Sequence, residues 1–365
     1  MPSFLYYNNE SDSSRYYKVV CTVVFICFCF CYLYFYQCDV LAAGQHVLSE
    51  GQTHYSRGIG AVLITLTLYL LQWLVAYVTQ LKNRAYAMTY FPSLLILTVI
   101  TDVSSEIDKG FSWGGWLIAL PLVSLCFVGL VWALRQIQSF EPISPSTGLF
   151  SRTMWVNLLT LVIMFIAVGM FSNGHAAFHY RMRMESLLAE EQYEKALEIG
   201  KNSLETDASL SMLRAYALAK TGQLGNLFFH YPLPEQGNLL LPDSNQTRCV
   251  VYPDSLIEAF ASSSKNRIDY KLIGWLLEKD LVRFSAVAER AYPDSMMPKS
   301  YSEALLLHDY LTGKPFAPDV DNILVTDFYD FRKMQSLYEQ EERASQMRKT
   351  YGNTYWWYYK YVRKD

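Results

Sequence analysis

Charge is what the first half of this 365-residue chain lacks. Residues 1–174 carry 8 Lys and Arg and 8 Asp and Glu, whereas residues 175–365 carry 23 and 26. Soluble domains are usually about 25% charged, so the first half cannot be an ordinary water-facing domain, while the second half can. A basic excess is also missing. The net charge of −3 leaves no clustered positive surface for nucleic acid, and none is expected as a partner. Paired cysteines are absent from the second half, where Cys249 stands alone and excludes an internal disulfide framework. The other six (Cys21, Cys27, Cys29, Cys31, Cys38, Cys126) lie in or beside apolar runs. Cys27, Cys29 and Cys31 are two residues apart, a turn of about 200° each on a helix, so they do not converge on a metal. They read as polarizable fillers. No phosphate-binding Gly loop, nucleophile elbow or CxxC pair occurs, and no cofactor is expected. Asn245-Gln246-Thr247 matches a glycosylation acceptor and is read as a chance match.

What is present instead is a series of uncharged apolar runs. The first, Val19 to Cys38, follows Arg15 and Lys18 and has about the 20 residues needed to cross a ~30 Å hydrocarbon core. It is too long for a signal peptide and no small-residue cleavage site follows, so it reads as a retained anchor. Further runs are Gly58–Leu81, Ala85–Thr101, Gly110–Leu134 and Thr153–Tyr180. The third is short and contains Pro92, which a membrane helix tolerates when neighbours satisfy the freed carbonyl.

Charges in the connections decide how many runs cross. Arg15, Lys18, Lys82, Arg84, Arg135 and Arg152 fall on one side if all five cross. The other side then holds Asp39, Glu50, Asp102, Glu106 and Asp108, with only Arg57 and Lys109 as cations. The positive-inside rule gives an internal N-terminus, five spans and an external C-terminal domain. Arg181 and Arg183 lie outside against the rule. The expected domains are an N-terminal tail over 1–16, a transmembrane domain over 17–180 and an extracytoplasmic helical domain over 181–365. The spans are expected at about 19–38, 58–81, 85–101, 112–134 and 153–174.

Beyond Met184 the apolar spacing is helical. Glu185–Glu190 and Tyr193–Leu204 form one pair, and Asp207 is the expected N-cap of a helix with stripe Leu210, Leu213, Ala217 and Leu218. Residues 231–254 are too rich in Pro and Gly for regular structure. Helices resume at Ser255–Ser262, Asp269–Leu277, Asp280–Ala291, Ser300–Leu311 and Asp319–Lys349. Leu272, Trp275 and Leu276 are expected to face Phe284, Val287 and Ala288. The tail Tyr355–Arg363, with six aromatics, either lies on a membrane surface or packs into a helical groove. Packing is the expectation, because a groove supplies partners for the polar tips of Tyr and Trp. No segment alternates like a strand, so the fold class is all-α: a membrane helix bundle followed by a helical-repeat domain.

The phrase Gln192-Tyr193-Glu194-Lys195-Ala196-Leu197, followed by Ala215 to Gly222, resembles tetratricopeptide (TPR) repeats over about one and a half units. Other phrases carry a second resemblance: Met212 to Leu218, Gly222-Gln223-Leu224-Gly225 leading to Tyr231-Pro232, Met297 to Leu307, and Thr354 to Tyr359. Through them the chain resembles an uncharacterised Bacteroidota family of polytopic inner-membrane proteins. That resemblance implies a bacterial cytoplasmic membrane with the C-terminal domain in the periplasm, and it implies no activity.

Candidate site residues gather on the expected outer face. Asp39, Asp102 and Glu106 are the candidate catalytic carboxylates, since an acid at the membrane edge can act as base or hold a cation against a lipid phosphate. His175 and His179 have the four-residue spacing that lets two imidazoles share a helix face and a metal. Neither group forms a recognised catalytic motif. The leading expectation is therefore a non-enzymatic protein, with the lipid bilayer and a protein as partners, the latter bound by the helical domain. The alternative is a membrane glycosyltransferase-like enzyme using lipid-linked substrates through the outer acidic residues.

Overall fold

The computed structural model describes residues 3–107, 112–138, 151–234, 239–243, 247–264, 266–292, 297–316 and 321–362. Asp108, Lys109, Asn245 and Arg363 lie outside the described residues. The protein is all-helical: among the described residues there is no strand, only one isolated antiparallel bridge between Asp243 and Thr247. Two units divide it, Met1–His175 and Ala176–Asp365.

Among the described residues of the first unit, four helices are long and apolar enough to cross a membrane: Tyr16–Tyr36, Arg57–Thr79, Trp116–Gln138 and Arg152–Phe171. The first joins α1 (Ser3–Cys31) to a π-helical turn, Tyr32–Tyr36, closed by the Gln37 N–H donating to the Tyr32 carbonyl at 3.0 Å. A short α2 (Cys38–Leu48) follows, then α3 (Arg57–Thr79). Along α1, Cys29 is buried while Cys27 and Cys31 are exposed, as their two-residue spacing requires.

The run at 85–101 is helical but not one α-helix. A 3-10 helix of 8 residues, Asn83–Tyr90, leads into α4 (Phe91–Thr101), of 11 residues, with Pro92 in its first turn. Pro has no N–H to give, which is harmless at the start of a helix and disruptive inside one. A 3-10 segment leaves backbone groups poorly paired, and here Asn157 of α6 (Arg152–Phe171) meets them. Its Oδ1 accepts from Ala87 N at 2.7 Å and its Nδ2 donates to Asn83 O at 2.8 Å. Ala85, Tyr86, Ala87, Thr89 and Tyr90 are all buried, so irregular backbone is enclosed by protein.

Hydrogen bonds at the helix ends fix the direction of every segment in this unit. At one end the Tyr17 hydroxyl accepts from Asn83 N at 3.1 Å. There too, Arg135, near the end of α5 (Trp116–Gln138), donates to the carbonyls of Thr79 and Val78 at 2.8 and 2.7 Å. At the other end Asn173 N donates to Thr101 O, Trp116 Nε1 to Asp102 Oδ2 at 2.7 Å, and Arg57 Nε to Tyr34 O at 2.6 Å. The last residues of α3 and of α5 therefore meet, which requires the 83–101 segment to run back between them. It runs beside α6 from the level of Asn157 to the end at Phe171, roughly 21 Å at 1.5 Å per residue. The five segments alternate in direction.

The second unit starts with α7 (Ala176–Ala189) and α8 (Tyr193–Glu198), both bounded differently from the expected pair. Asp207 caps α9 (Ala208–Lys220) as expected, its carboxylate accepting from Leu210 N at 2.7 Å. Ser209 to Leu218 are all buried, making α9 the centre of this unit. After α10 (Leu224–Leu227) and a 3-10 turn, Phe228–His230, the described residues of the Pro- and Gly-rich connection form no helix, and a buried carboxylate anchors it. Glu185 Oε2 accepts from Val250, Val251 and Tyr252 N at 2.8, 2.6 and 3.1 Å, while Oε1 lies 3.3 Å from Arg181 Nε. Burial raises the Glu185 carboxyl, and Arg181 and the three amides oppose that rise. Unpaired, those three N–H groups would each cost a desolvation penalty of about 1–3 kcal/mol.

Next come α11 (Asp254–Ser262), α12 (Arg267–Leu277), α13 (Leu281–Ala291) and α14 (Lys299–Thr312). The expected α12–α13 pair is present, with Leu272, Leu276, Phe284 and Ala288 fully buried. The expected helix Asp319–Lys349 is instead two, α15 (Asn322–Gln335) and α16 (Gln340–Tyr351). Arg343 supports the break by donating through Nε and Nη2 to Tyr338 O at 3.2 and 2.9 Å. The aromatic tail forms α17 (Tyr355–Tyr361) and packs, as expected, into the core. Four of its polar tips find carbonyls: Tyr355 and Tyr358 hydroxyls donate to Leu276 and Leu277 O, both at 3.1 Å, Trp356 Nε1 to Glu303 O at 2.8 Å, and Trp357 Nε1 to Ala344 O at 3.1 Å.

Glu303 holds that helix start twice, because its Oε2 also accepts from Tyr355 N at 2.7 Å. A carboxylate suits the partial positive charge of a helix N-terminus, yet burial is the larger influence and pushes this acid up to about 7. The folded protein thus keeps a proton that the unfolded chain releases at lower pH. Stability is full on the acid side and falls as pH rises toward 7, by roughly 3 kcal/mol at most. Thermal unfolding of the full chain in detergent between pH 5 and 8 checks this: the Glu303→Gln variant is expected to lose that part of the pH dependence.

Candidate functional site

The break between α6 and α7 is where two of the candidate residues of the first unit, Asp102 and His175, come together. α6 ends at Phe171, and Ser172, Asn173, Gly174 and His175 cross an unhelical stretch before Ala176. Asn173 shapes it. Its Nδ2 donates to Val103 O, its backbone N–H to Thr101 O at 3.2 Å, and its Oδ1 accepts from His175 N at 2.9 Å. Gln37, wholly buried at the end of the π turn, donates through Nε2 to the Tyr32 hydroxyl at 3.0 Å and to Asn173 O at 3.2 Å. Tyr32 in turn shares a hydrogen with the Ser172 hydroxyl. Three helix ends are thereby knotted by uncharged polar groups.

Beside the knot are two cavities. One, of about 400 Å³, is lined by Asp102, Ser104, Ser172, Asn173 and His175. The other, of about 430 Å³, is walled by Leu41, Ile64, Val99, Ile100 and Trp116, and also reaches Asp102 and Ser104. Asp102 is the C-cap of α4, an exposed carboxylate oriented by the Trp116 N–H. It stands where a polar and an apolar space share a wall, an arrangement that fits a molecule with a polar head and an apolar tail.

Two of the five candidates, Asp102 and His175, therefore share a cavity. Asp39, in the first turn of α2, lines neither cavity, nor does Glu106, which is exposed and donates its N–H to Ser104 Oγ at 3.2 Å. His179 lies inside α7 while His175 precedes it, so the pair does not stand on one continuous helix. Among the described residues, no three His, Cys, Asp or Glu side chains gather as a metal site would require. Sequence reasoning passed over Gln37 and Asn173. The available signal was an uncharged polar residue at the edge of each of two apolar runs.

Asn173→Ala removes one bond to Val103 O and one from His175 N. It is expected to lower the unfolding free energy in detergent by about 1–3 kcal/mol, as loss of buried hydrogen bonds does. Denaturation of the two proteins side by side measures it.

A family profile described as a family of unknown function (DUF6057) matches residues 111–260 and 251–362. No curated protein and no solved structure matches the chain.

Proposed function

The chain belongs to DUF6057, a family of unknown function, and from that premise we propose that it is an integral protein of a bacterial cytoplasmic membrane, crossing five times. Its helical domain faces the periplasm and binds a protein partner there. The observation that carries the reading is the Arg135 guanidinium on the carbonyls of Thr79 and Val78. It brings the ends of α3 and α5 to one side, which supports reading 83–101 as a crossing despite its two-part helix. Lys18, Lys82, Arg84, Arg135 and Arg152 then share that end, as positive residues facing the cytoplasm do.

Two of the cations that oppose the rule, Arg57 and Arg181, are engaged elsewhere. Arg57 holds the Tyr34 carbonyl and lies over the Tyr34 ring at 4.5 Å. Arg181 is buried against Glu185. A TPR-like stacking of the second unit is supported by fully buried Ala215 and Ala217 on α9 and by Gly225. There, a Cβ would come within 2.8 Å of Pro298 and Tyr301. Stacked helix pairs of that kind offer concave protein-binding surfaces. Reporter fusions test the topology. A periplasm-active reporter is expected to work after Asp365 and a cytoplasm-active one after Gln138; the reverse result at Asp365 would mean four crossings.

A second reading, a transferase acting on lipid-linked substrates, is favoured by Asp102 alone, because that carboxylate joins the polar and apolar cavities. In that reading Asp102 is the base for an acceptor hydroxyl. Asp102→Ala in cells decides between the two. Loss of a cell-surface glycan at unchanged protein level is the outcome of the enzyme reading, and an unaltered glycan is that of the binding protein.

A further inference from the structure

The walls of the apolar cavity beside the knot say what kind of molecule it accepts. Leu48, Ile64, Val99, Ile100, Trp113 and Trp116 give it hydrocarbon and ring surface from four helices and the turn before α5. Leu48 and Trp113 are 63% and 54% exposed, so the space is open rather than sealed inside the bundle. Its volume of about 430 Å³ is that of a small-molecule site.

The polar residues in the same walls are already engaged. Gln45 Nε2 donates to Thr53 Oγ1 at 2.9 Å, and Ser49 Oγ donates to His46 O and accepts from Thr53 N. Ser104 Oγ accepts from Glu106 N and Ser112 Oγ from Gly114 N, both at 3.2 Å. Asp102 Oδ2 accepts from Trp116 Nε1 at 2.7 Å. Asp102 Oδ1 has no partner among the described residues, and a carboxylate oxygen can only accept while ionised. The cavity thus asks for hydrocarbon along its length and for one hydrogen-bond donor at the Asp102 corner. A sugar or a peptide would bring many polar groups to walls that have none to spare, and water finds few partners in an apolar space.

We propose that this cavity holds an acyl lipid whose head donates a hydrogen bond, with the chain along Ile64, Val99 and Ile100 and the donor on Asp102 Oδ1. Hydroxyl and ammonium heads share that chemistry. The chain gives access but little preference, because hydrocarbon gains almost nothing by exchanging lipid tails for another apolar surface. Selectivity therefore rests on Asp102. The inference rests on the reading of the first unit as membrane-spanning, but not on any reaction: the site binds its lipid whether or not Asp102 acts as a base.

The test is photo-crosslinking of the full chain in neutral detergent with a monoacylglycerol that carries a diazirine on its chain, followed by mass mapping of the labelled peptides. Saturable labelling of the α4 and Trp113–Trp116 peptides is expected. Unlabelled monoacylglycerol and lysophosphatidylethanolamine are expected to compete, and whichever does so at the lower concentration identifies the head as hydroxyl or ammonium. A fatty acid methyl ester, which has no donor, is expected to need at least a tenfold higher concentration. In Asp102→Ala that difference is expected to vanish while labelling stays in place, and in Ile64→Trp, which fills the cavity, labelling is expected to fall. Labelling that does not saturate overturns the proposal, as does a methyl ester that competes equally well in the parent, a comparison that needs no variant. Failure here with the reporter fusions reading five crossings removes the lipid site and leaves the topology standing.

Discussion

Every backbone N–H or C=O that a helix leaves unpaired must find a partner once water is excluded, and this protein meets that demand with single side chains placed far away in sequence. Asn157 serves the 3-10 segment at 83–90. Glu185 serves three successive amides of a connection that begins some fifty residues later, and Glu303 serves the first amide of the aromatic helix. Each stands on an α-helix and reaches backbone groups in or beside a break in regular structure, where the ladder of backbone bonds fails. Leaving one such group unmet would cost a large part of the net stability of a domain, which is only about 5–15 kcal/mol. Both units therefore depend on a few polar contacts more than their apolar composition implies.

This also explains what could be read from the residues and what could not. Charge-free runs betray long apolar helices, because a helix that is apolar all round has no water-facing side. The Asp207 cap, the α12–α13 pair and the docking of the tail were legible for the same local reasons: a capping carboxylate, a stripe, and Tyr and Trp tips that need acceptors. The two-part helix at 83–101 was not legible, since the residue that makes it tolerable lies about seventy positions downstream. Nor was the break after Gln335, where Arg343 satisfies a carbonyl that a continuous helix would have used.

The candidate site shows the same division. Acidic residues in the outer connections are visible in the sequence, but which of them meet is decided by Asn173 and Gln37, uncharged groups that no charge count reveals. Asp102 and His175 share a cavity because Asn173 pins the end of α6 against Thr101 and Val103. Asp39, only two residues from Gln37, lines neither of the two cavities beside that knot. Proximity in sequence to a structural residue says little about proximity to a cavity.

The fastening of α5 has a mechanical consequence. None of its residues is buried, and among the described residues its ties are at its ends and at one ring: Trp116 to Asp102, Arg135 and Gln138 to the end of α3 and the turn after it, and Phe127 stacked on Phe91. Moving such a helix sideways breaks a handful of hydrogen bonds but opens no core, whereas moving α4 or α6 would tear the bundle apart. α5 is thus the helix of this unit that burial holds least. One of its end pins, Trp116, is also a wall of the apolar cavity, so a single hydrogen bond both fastens this helix and shapes that space.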